Sequence, residues 1–326
     1  MITGCADQGG IQLPELRCPW PVQVSPYAHE VDAGTLAWLR RFEAAPADEI
    51  ERCRRAAYGQ LAGRVYPHAT RPLLQLMSDW CTWLFVFDDV VCEGEISTVE
   101  LALLIPRLYR LLDGDVAAIV TGSDRALLDL RTRIAQIASR EQLNRWTHAT
   151  RHYLASQTWE AANREAKIVP SLADYLIMRR HTGAVHTVHA LIDLATGLRL
   201  KDEEWASPLL TQVSRHAVDV VDWDNDLLSW VKEHDSGKGD TSHNLVTVVE
   251  HAHQCSRAEA VQQVMAMREA AVEQVRVLGD ELTRSGSAAV GAYVAGLRSW
   301  ITGAVDYALT SVRYAAGGLA VAEPPH

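Results

Sequence analysis

No run of apolar residues comes near the roughly 18 that a membrane-spanning helix requires, although apolar residues fill 48% of the 326 positions. The first residues, MITGCADQGG, lack the basic start and apolar core of a secretory signal. Six cysteines, at 5, 18, 53, 81, 92 and 255, are scattered without one C-x-x-C pair. That pattern argues for reduced thiols in a cytoplasm and against a disulfide frame or a zinc site. Positive charge is short as well: 31 Lys and Arg against 41 Asp and Glu leave a formal net charge of −10. Such a balance disfavours a nucleic-acid binder. Sustained period-two strands, βαβ alternation, internal repeats and heptad arrays are all missing. An acidic protein that handles a polyanion must hold its positive charge locally, so basic residues beside acidic clusters are the ones to follow.

What is present is helical spacing. Apolar residues recur at i, i+3, i+4 and i+7 from Thr35 to Phe42, Pro72 to Asp89, Val99 to Leu112 and Ser123 to Ser139. The pattern continues over Gln142 to Glu165, Ser171 to Leu198, Trp205 to His234, His243 to His253, Arg257 to Leu282 and Ala288 to Tyr314. Ser123 before Asp124 and Ser171 before Asp174 read as N-caps. This predicts an all-α, single-domain bundle over residues 31–315. A proline-rich, extended leader (1–30) precedes it and a frayed tail (316–326) follows. Gly237 to Thr241 is the clearest polar connection.

Two acidic constellations stand out. In VDWDNDLLSWVKEHDSG (Val221 to Gly237), Asn225, Ser229 and Glu233 are four residues apart twice over, which stacks them on one helical face. An amide oxygen, a hydroxyl and a carboxylate form an all-oxygen set suited to a hard cation such as Mg²⁺. Lys232 adds an ammonium beside it. The alternative is a merely solvated polar face. In the second constellation, Asp88, Asp89 and Glu93 follow Trp80 to Phe87, a stretch in which only Thr82 is polar. Carboxylates in such a place need a cation or an opening to water; a helix simply emerging into solvent would also produce the pattern. Leu84 and Phe85 lie one turn before Asp88 and make an apolar, partly aromatic wall beneath it. A metal-binding rim over an apolar pocket suits a substrate with a diphosphate head and a hydrocarbon tail.

With these features the chain resembles bacterial class I terpene synthases. DDVVCE (Asp88 to Glu93) is similar to that family's aspartate-rich motif, and NDLLSWVKE (Asn225 to Glu233) to its N-D-x-x-S-x-x-x-E triad. Arg313-Tyr314 resembles the terminal Arg-Tyr pair. HNLV (His243 to Val246), Tyr66-Pro67 and the proline-rich leader extend the likeness over nearly the whole chain. The resemblance implies a cyclase that uses three Mg²⁺ ions, with Mn²⁺ as a substitute. It also implies an isoprenoid diphosphate substrate, with C15 favoured by family frequency over C10 or C20. Catalytic roles are implied for Asp88, Asn225, Ser229 and Glu233, with Arg179 as diphosphate sensor and Thr182 and Gly183 as linker and effector. Asp89 and Glu93 assist as metal ligands, and Lys232, Arg313 and Tyr314 join Arg179 in gripping diphosphate. Leu84, Phe85, Trp300 and Tyr307 are expected to line the cavity, the aromatics otherwise serving as core.

Two positions depart from the family: Thr182, where relatives often carry an acid, and Tyr307, where they often carry tryptophan. Histidines 181, 186 and 189 read as packing or surface groups. The implied partners are a small isoprenoid diphosphate and, as an open option, a second copy in a homodimer; nucleic acid and membrane insertion are not expected. A chain-elongating prenyltransferase would carry a second D-D-x-x-D cluster where this chain has Asn225-Asp226. A helical binding protein without catalysis would not need both metal sets.

Overall fold

The computed structural model describes residues 15–92, 96–235 and 243–314, with 230–235 described through their backbone alone. Among them every regular element is a helix. The order begins α1 (Ala28–Phe42), α2 (Ala47–Ala56), α3 (Tyr58–Val65) and α4 (Arg71–Phe87), which runs into a π-helical turn (Asp88–Cys92). Then come α5 (Thr98–Leu112), a 3-10 turn (Val116–Ala118), α6 (Gly122–Ile137), α7 (Arg140–Ala166), α8 (Leu172–Thr182) and α9 (Val185–His189). The chain continues through α10 (Ile192–Thr196), α11 (Asp202–Trp205), α12 (Pro208–Asp235), α13 (Leu245–His253), α14 (Arg257–Ser285) and α15 (Ala288–Thr310). None of the described helices is long and apolar enough to cross a membrane.

Capping chemistry fixes many of the starts. Ser97, Ser139 and Ser256 each accept a backbone N–H three residues on, while Glu100, Gln142 and Glu259 return the bond. Ser171 caps α8 through the Asp174 N–H, as expected. Ser123 is not a cap. Thr121, two residues earlier, has the extended backbone (φ −118°) and accepts from Asp124 N, so Ser123 already lies inside α6.

The helix predicted over Ser171 to Leu198 is in fact three short ones, α8, α9 and α10. The first interruption falls where Ala184 takes a left-handed conformation, φ 61°, which an apolar periodicity does not reveal. The helix predicted from Trp205 begins at Pro208, proline being suited to a first helical position. Helices α2 and α3 fall in a stretch left unassigned by the spacing; left-handed Ala57 (φ 55°) separates them. Residues after Tyr314 and the connection Gly237 to Thr241 lie outside the described residues.

Helix α4 is the central strut. Trp80 and Trp83 stack at 5.5 Å, and Trp80 meets Trp146 of α7 edge-on at 5.0 Å. All three are buried, and truncating one to alanine would cost about 3–5 kcal/mol. Helix α15 crosses α3 so closely that a Cβ on Gly303 would come within 2.7 Å of the Arg64 backbone. The proline-rich segment before α1 is held by arginines of the last two long helices. Arg268 of α14 donates to Arg17 O and to Cys18 Sγ (3.3 Å), and Arg298 of α15 sits over the Trp20 ring at 5.3 Å.

Candidate active site

A cavity of about 210 Å³ opens between α4, α8, α12 and α15, lined by both charged and apolar side chains. Leu84, Phe85, Trp300 and Tyr307 all line it. Trp300 packs edge-on against Tyr66 at 5.4 Å. Tyr307 belongs to the wall and to the core at once: it is 3% exposed and its hydroxyl donates to Ala56 O at 2.8 Å.

Asp88 lines the cavity where α4 passes into the π-helical turn, and Asp89 follows it. Asp89 receives both arms of Arg313, at 2.7 and 2.9 Å. The same guanidinium donates to the Tyr58 hydroxyl (3.0 Å) and stands over the Phe85 ring at 4.6 Å. Burial opposes the Arg313 charge, but Tyr58 and Asp89 more than compensate, so its pKa is pushed further up. Tyr58 itself stacks on Phe85 at 4.4 Å.

On α12, Asn225 Oδ1 accepts from Arg179 Nη2 at 2.8 Å, and Asn225 Nδ2 donates to the Tyr314 hydroxyl at 3.0 Å. Arg179 also grips Asp226, Nε to Oδ1 at 3.0 Å. Asp226 accepts from Tyr175 Oη (2.7 Å) and Leu245 N (3.2 Å), so it ties α8, α12 and α13 together. Burial raises the Asp226 pKa, with the Arg179 charge and these donors opposing it. Ser229 lies one turn beyond Asn225, buried at the cavity wall. Glu233 and Lys232 continue α12, but their side chains, like the whole of Glu93, lie outside the described residues. Thr182 and Gly183 both line the cavity. Gln157 Nε2 donates to Thr182 O at 3.3 Å, and no described hydrogen bond joins the Thr182 hydroxyl to an arginine. Arg180 turns the other way and pairs with Asp219 at 2.6 Å.

The family described as terpene synthase family 2, C-terminal metal binding, matches residues 79–274. This chain belongs to it. Among curated relatives, a 4-epi-cubebol synthase of Streptosporangium roseum, named as cyclising (2E,6E)-farnesyl diphosphate, is 47% identical over 93% of this chain and 92% of its own. A (+)-T-muurolol synthase of Roseiflexus castenholzii, named in the same way, is 34% identical over 91% and 92%. The solved structure of SVS_A2, a protein from ancestral sequence reconstruction, superposes with a TM-score of 0.85. It is 27% identical and covers 94% of this chain and 92% of that one.

The donors of this terpene synthase fit the metal binding in its family's description. Asp88, Asp89, Asn225 and Ser229 offer oxygen only, the chemistry that hard divalent cations take. Among the described residues no three His, Cys, Asp or Glu side chains are already gathered as a metal site. Arginine forks instead hold Asp89 and Asn225. Sequence reasoning missed Tyr58, Tyr175 and Asp226, whose roles arise from contacts between helices far apart in the chain. It also missed Asp222, although its place three residues before Asn225, on the same helical face, was a usable signal. Histidines 181, 186 and 189 line a second cavity, of about 570 Å³, behind α8 and α9. Burial pushes the His186 pKa down to about 4.

Proposed function

We propose that this terpene synthase ionises farnesyl diphosphate and cyclises the resulting cation to a sesquiterpene hydrocarbon or alcohol. One observation carries the reading: the carboxylate of Asp88, the amide of Asn225 and the guanidinium groups of Arg179 and Arg313 line the same cavity as Leu84, Phe85, Trp300 and Tyr307. The farnesyl-cyclising names of the relatives at 47% and 34% identity support the C15 chain length.

Asp88 and Asp89 of the π-helical turn, together with Glu93, and Asn225, Ser229 and Glu233 of the α12 sequence would hold three Mg²⁺ ions, with Mn²⁺ as a substitute. Bound there, such ions supply Lewis-acid neutralisation of diphosphate oxygens. The protein's own cations do the rest of the gripping. Arg313 and Arg179 now spend their N–H groups on Asp89 and on Asn225 with Asp226. A diphosphate anion competes for the same forks, which are well matched to phosphate oxygens. Lys232 and Tyr314 add donors as the oxygens arrive. When the C–O bond breaks, its electron pair leaves with the diphosphate and an allylic cation remains. Aromatic faces stabilise such a cation by about 2 kcal/mol when desolvated, a part we assign to the cavity-lining Phe85, Trp300 and Tyr307. Closure of the rim excludes water until the cascade ends, by proton loss or by water capture. Among the described residues cysteines 18, 53, 81, 92 and 255 form no disulfide, which suits a cytoplasmic enzyme.

The test is incubation with the C10, C15 and C20 diphosphates and Mg²⁺, followed by gas chromatography with mass detection. A volatile C15 product from farnesyl diphosphate is expected. Turnover of the C10 or C20 substrate alone would change the chain length. A longer diphosphate would make the enzyme a prenyltransferase, and no product would leave a binding protein.

A further inference from the structure

Buried acids in this molecule generally have a cation of their own. Arg133 holds Asp79 (2.7 Å), Arg145 holds Asp193 (3.1 Å), Arg180 holds Asp219 (2.6 Å) and Arg268 holds Asp224 (2.8 Å). Asp222 has none among the described residues. It is 2% exposed and its Oδ2 is buried without a hydrogen-bond partner. An acid kept in that state destabilises the fold, so a role outside packing is the natural reason for its presence.

Its position indicates the role. Asp222 lines the catalytic cavity and lies against Gly183, at the break between α8 and α9. A Cβ built on Gly183 would overlap Asp222 Oδ1 and stand 2.7 Å from Cγ. The backbone does not call for glycine there. Gly183 has φ −74°, which any residue adopts, and the left-handed residue of the break is its neighbour Ala184. Glycine at 183 therefore makes room for the carboxyl of Asp222. Arg179 stands one turn before Gly183 on α8, near enough for its charge to act on Asp222. Thr182, between them in sequence, brings no charge.

We propose that Asp222 is a positioning residue that couples Arg179 to the α8–α9 break. Reaching across from α12, it sets Gly183 and Ala184 against the cavity according to where Arg179 lies. A diphosphate that draws Arg179 away from Asn225 and Asp226 is thereby felt at the cavity wall. This inference rests on the terpene synthase reading for its substrate, but not for its contact.

The experiment uses full-length variants in three arms. In the first, melting temperature is read without ligand. Gly183→Ala should fall by about 5 °C or more, and adding Asp222→Ala in the same chain should recover at least about half of that. In the second, inorganic diphosphate with Mg²⁺ should raise the melting temperature of the wild type and raise that of Asp222→Asn by a clearly smaller amount. In the third, Asp222→Asn, which keeps the shape, should melt no lower than wild type. Its kcat for farnesyl diphosphate should fall about tenfold or more, with KM within about threefold. A merely packing residue would show the reverse, a lower melting temperature with kcat unchanged. A Gly183→Ala loss indifferent to Asp222, an undiminished diphosphate shift, no shift even in the wild type, or a wild-type kcat in Asp222→Asn would each overturn the proposal. Inert wild-type enzyme in the third arm would instead overturn the substrate reading, while the first two arms still judge the coupling.

Discussion

Helix α12 meets α14 on one side and α8 on another, and charge is handled differently at the two contacts. Toward α14, Asp224 takes both arms of Arg268, at 2.8 and 3.2 Å, and the same guanidinium reaches Arg17 O and Cys18 Sγ. Donors and acceptors there close on one another. Toward α8, Arg179 spreads over Asp226 and Asn225, and Asp222 keeps an oxygen without a partner. The first contact is a fastening. In the function we propose, the second is a set of groups that an anion or a cation entering the cavity takes over. The acids are buried alike at the two contacts; what separates the contacts is whether the hydrogen bonds are complete.

Substitution of the α8-side groups breaks this comparison most severely. Asn225→Leu removes an oxygen donor and leaves Arg179 with Asp226 alone to hold, so turnover should fall by about a thousandfold or more. Helical circular dichroism should stay as in the wild type, and comparable product yield would remove Asn225 from the site. On the α14 side, Arg268→Ala leaves Asp224 buried and uncompensated, at a cost of about 3–5 kcal/mol. Urea unfolding should show that loss, with product ratios from the remaining folded enzyme unchanged. A changed product profile would mean that the two contacts are not separate.

Adjacent arginines sharpen the contrast. Arg179→Ala should cost about a hundredfold in activity, whereas Arg180→Ala, whose pair is with Asp219, should cost less than about tenfold. The reverse order would shift the sensor by one residue.

A smaller effect concerns the far side of α8 and α9. Burial first, and then the charges of His181, Arg180 and His152, lower the His186 pKa from 6.5 to about 4. Between those values the unfolded chain binds more protons than the native one, so stability falls as pH drops from 6.5 toward 4. The contribution from this residue is at most about 3 kcal/mol. The raised carboxyls Asp222 and Asp226 act in the opposite sense, so the reading is a difference: His186→Gln should flatten the acid side of the melting-temperature profile relative to wild type. Identical profiles would refute the burial argument. The least effect belongs to Tyr307→Phe, which loses the bond to Ala56 O and should cost about 1 kcal/mol while keeping the main product.

These contrasts also show what a sequence can reveal. Long helices such as α7, α12, α14 and α15 were legible because their apolar spacing persists over many turns. Asn225 and Ser229 were legible because a helix places residues four apart on one face. The break at Gly183 and Ala184 was hidden, since neither residue interrupts the apolar spacing and the left-handed turn falls on alanine. Short α3 was hidden too, and with it Tyr58, the partner of both Phe85 and Arg313. Asp222 could be placed on the Asn225 face, but its missing partner depends on α8 passing where it does. Pairing between distant helices is set by packing, which spacing within one helix does not encode.

The central claim is that the α12 rim drives metal-dependent ionisation of farnesyl diphosphate inside a closed apolar cavity. Its most direct test measures inorganic diphosphate and volatile C15 product together, in wild type with and without EDTA and in Asn225→Leu. The account predicts equal molar amounts of both in the wild type, with cyclic C15 compounds predominating. Both should vanish together on chelation or substitution. Diphosphate released undiminished under EDTA or from Asn225→Leu, or released with only linear farnesol beside it in the wild type, would contradict it.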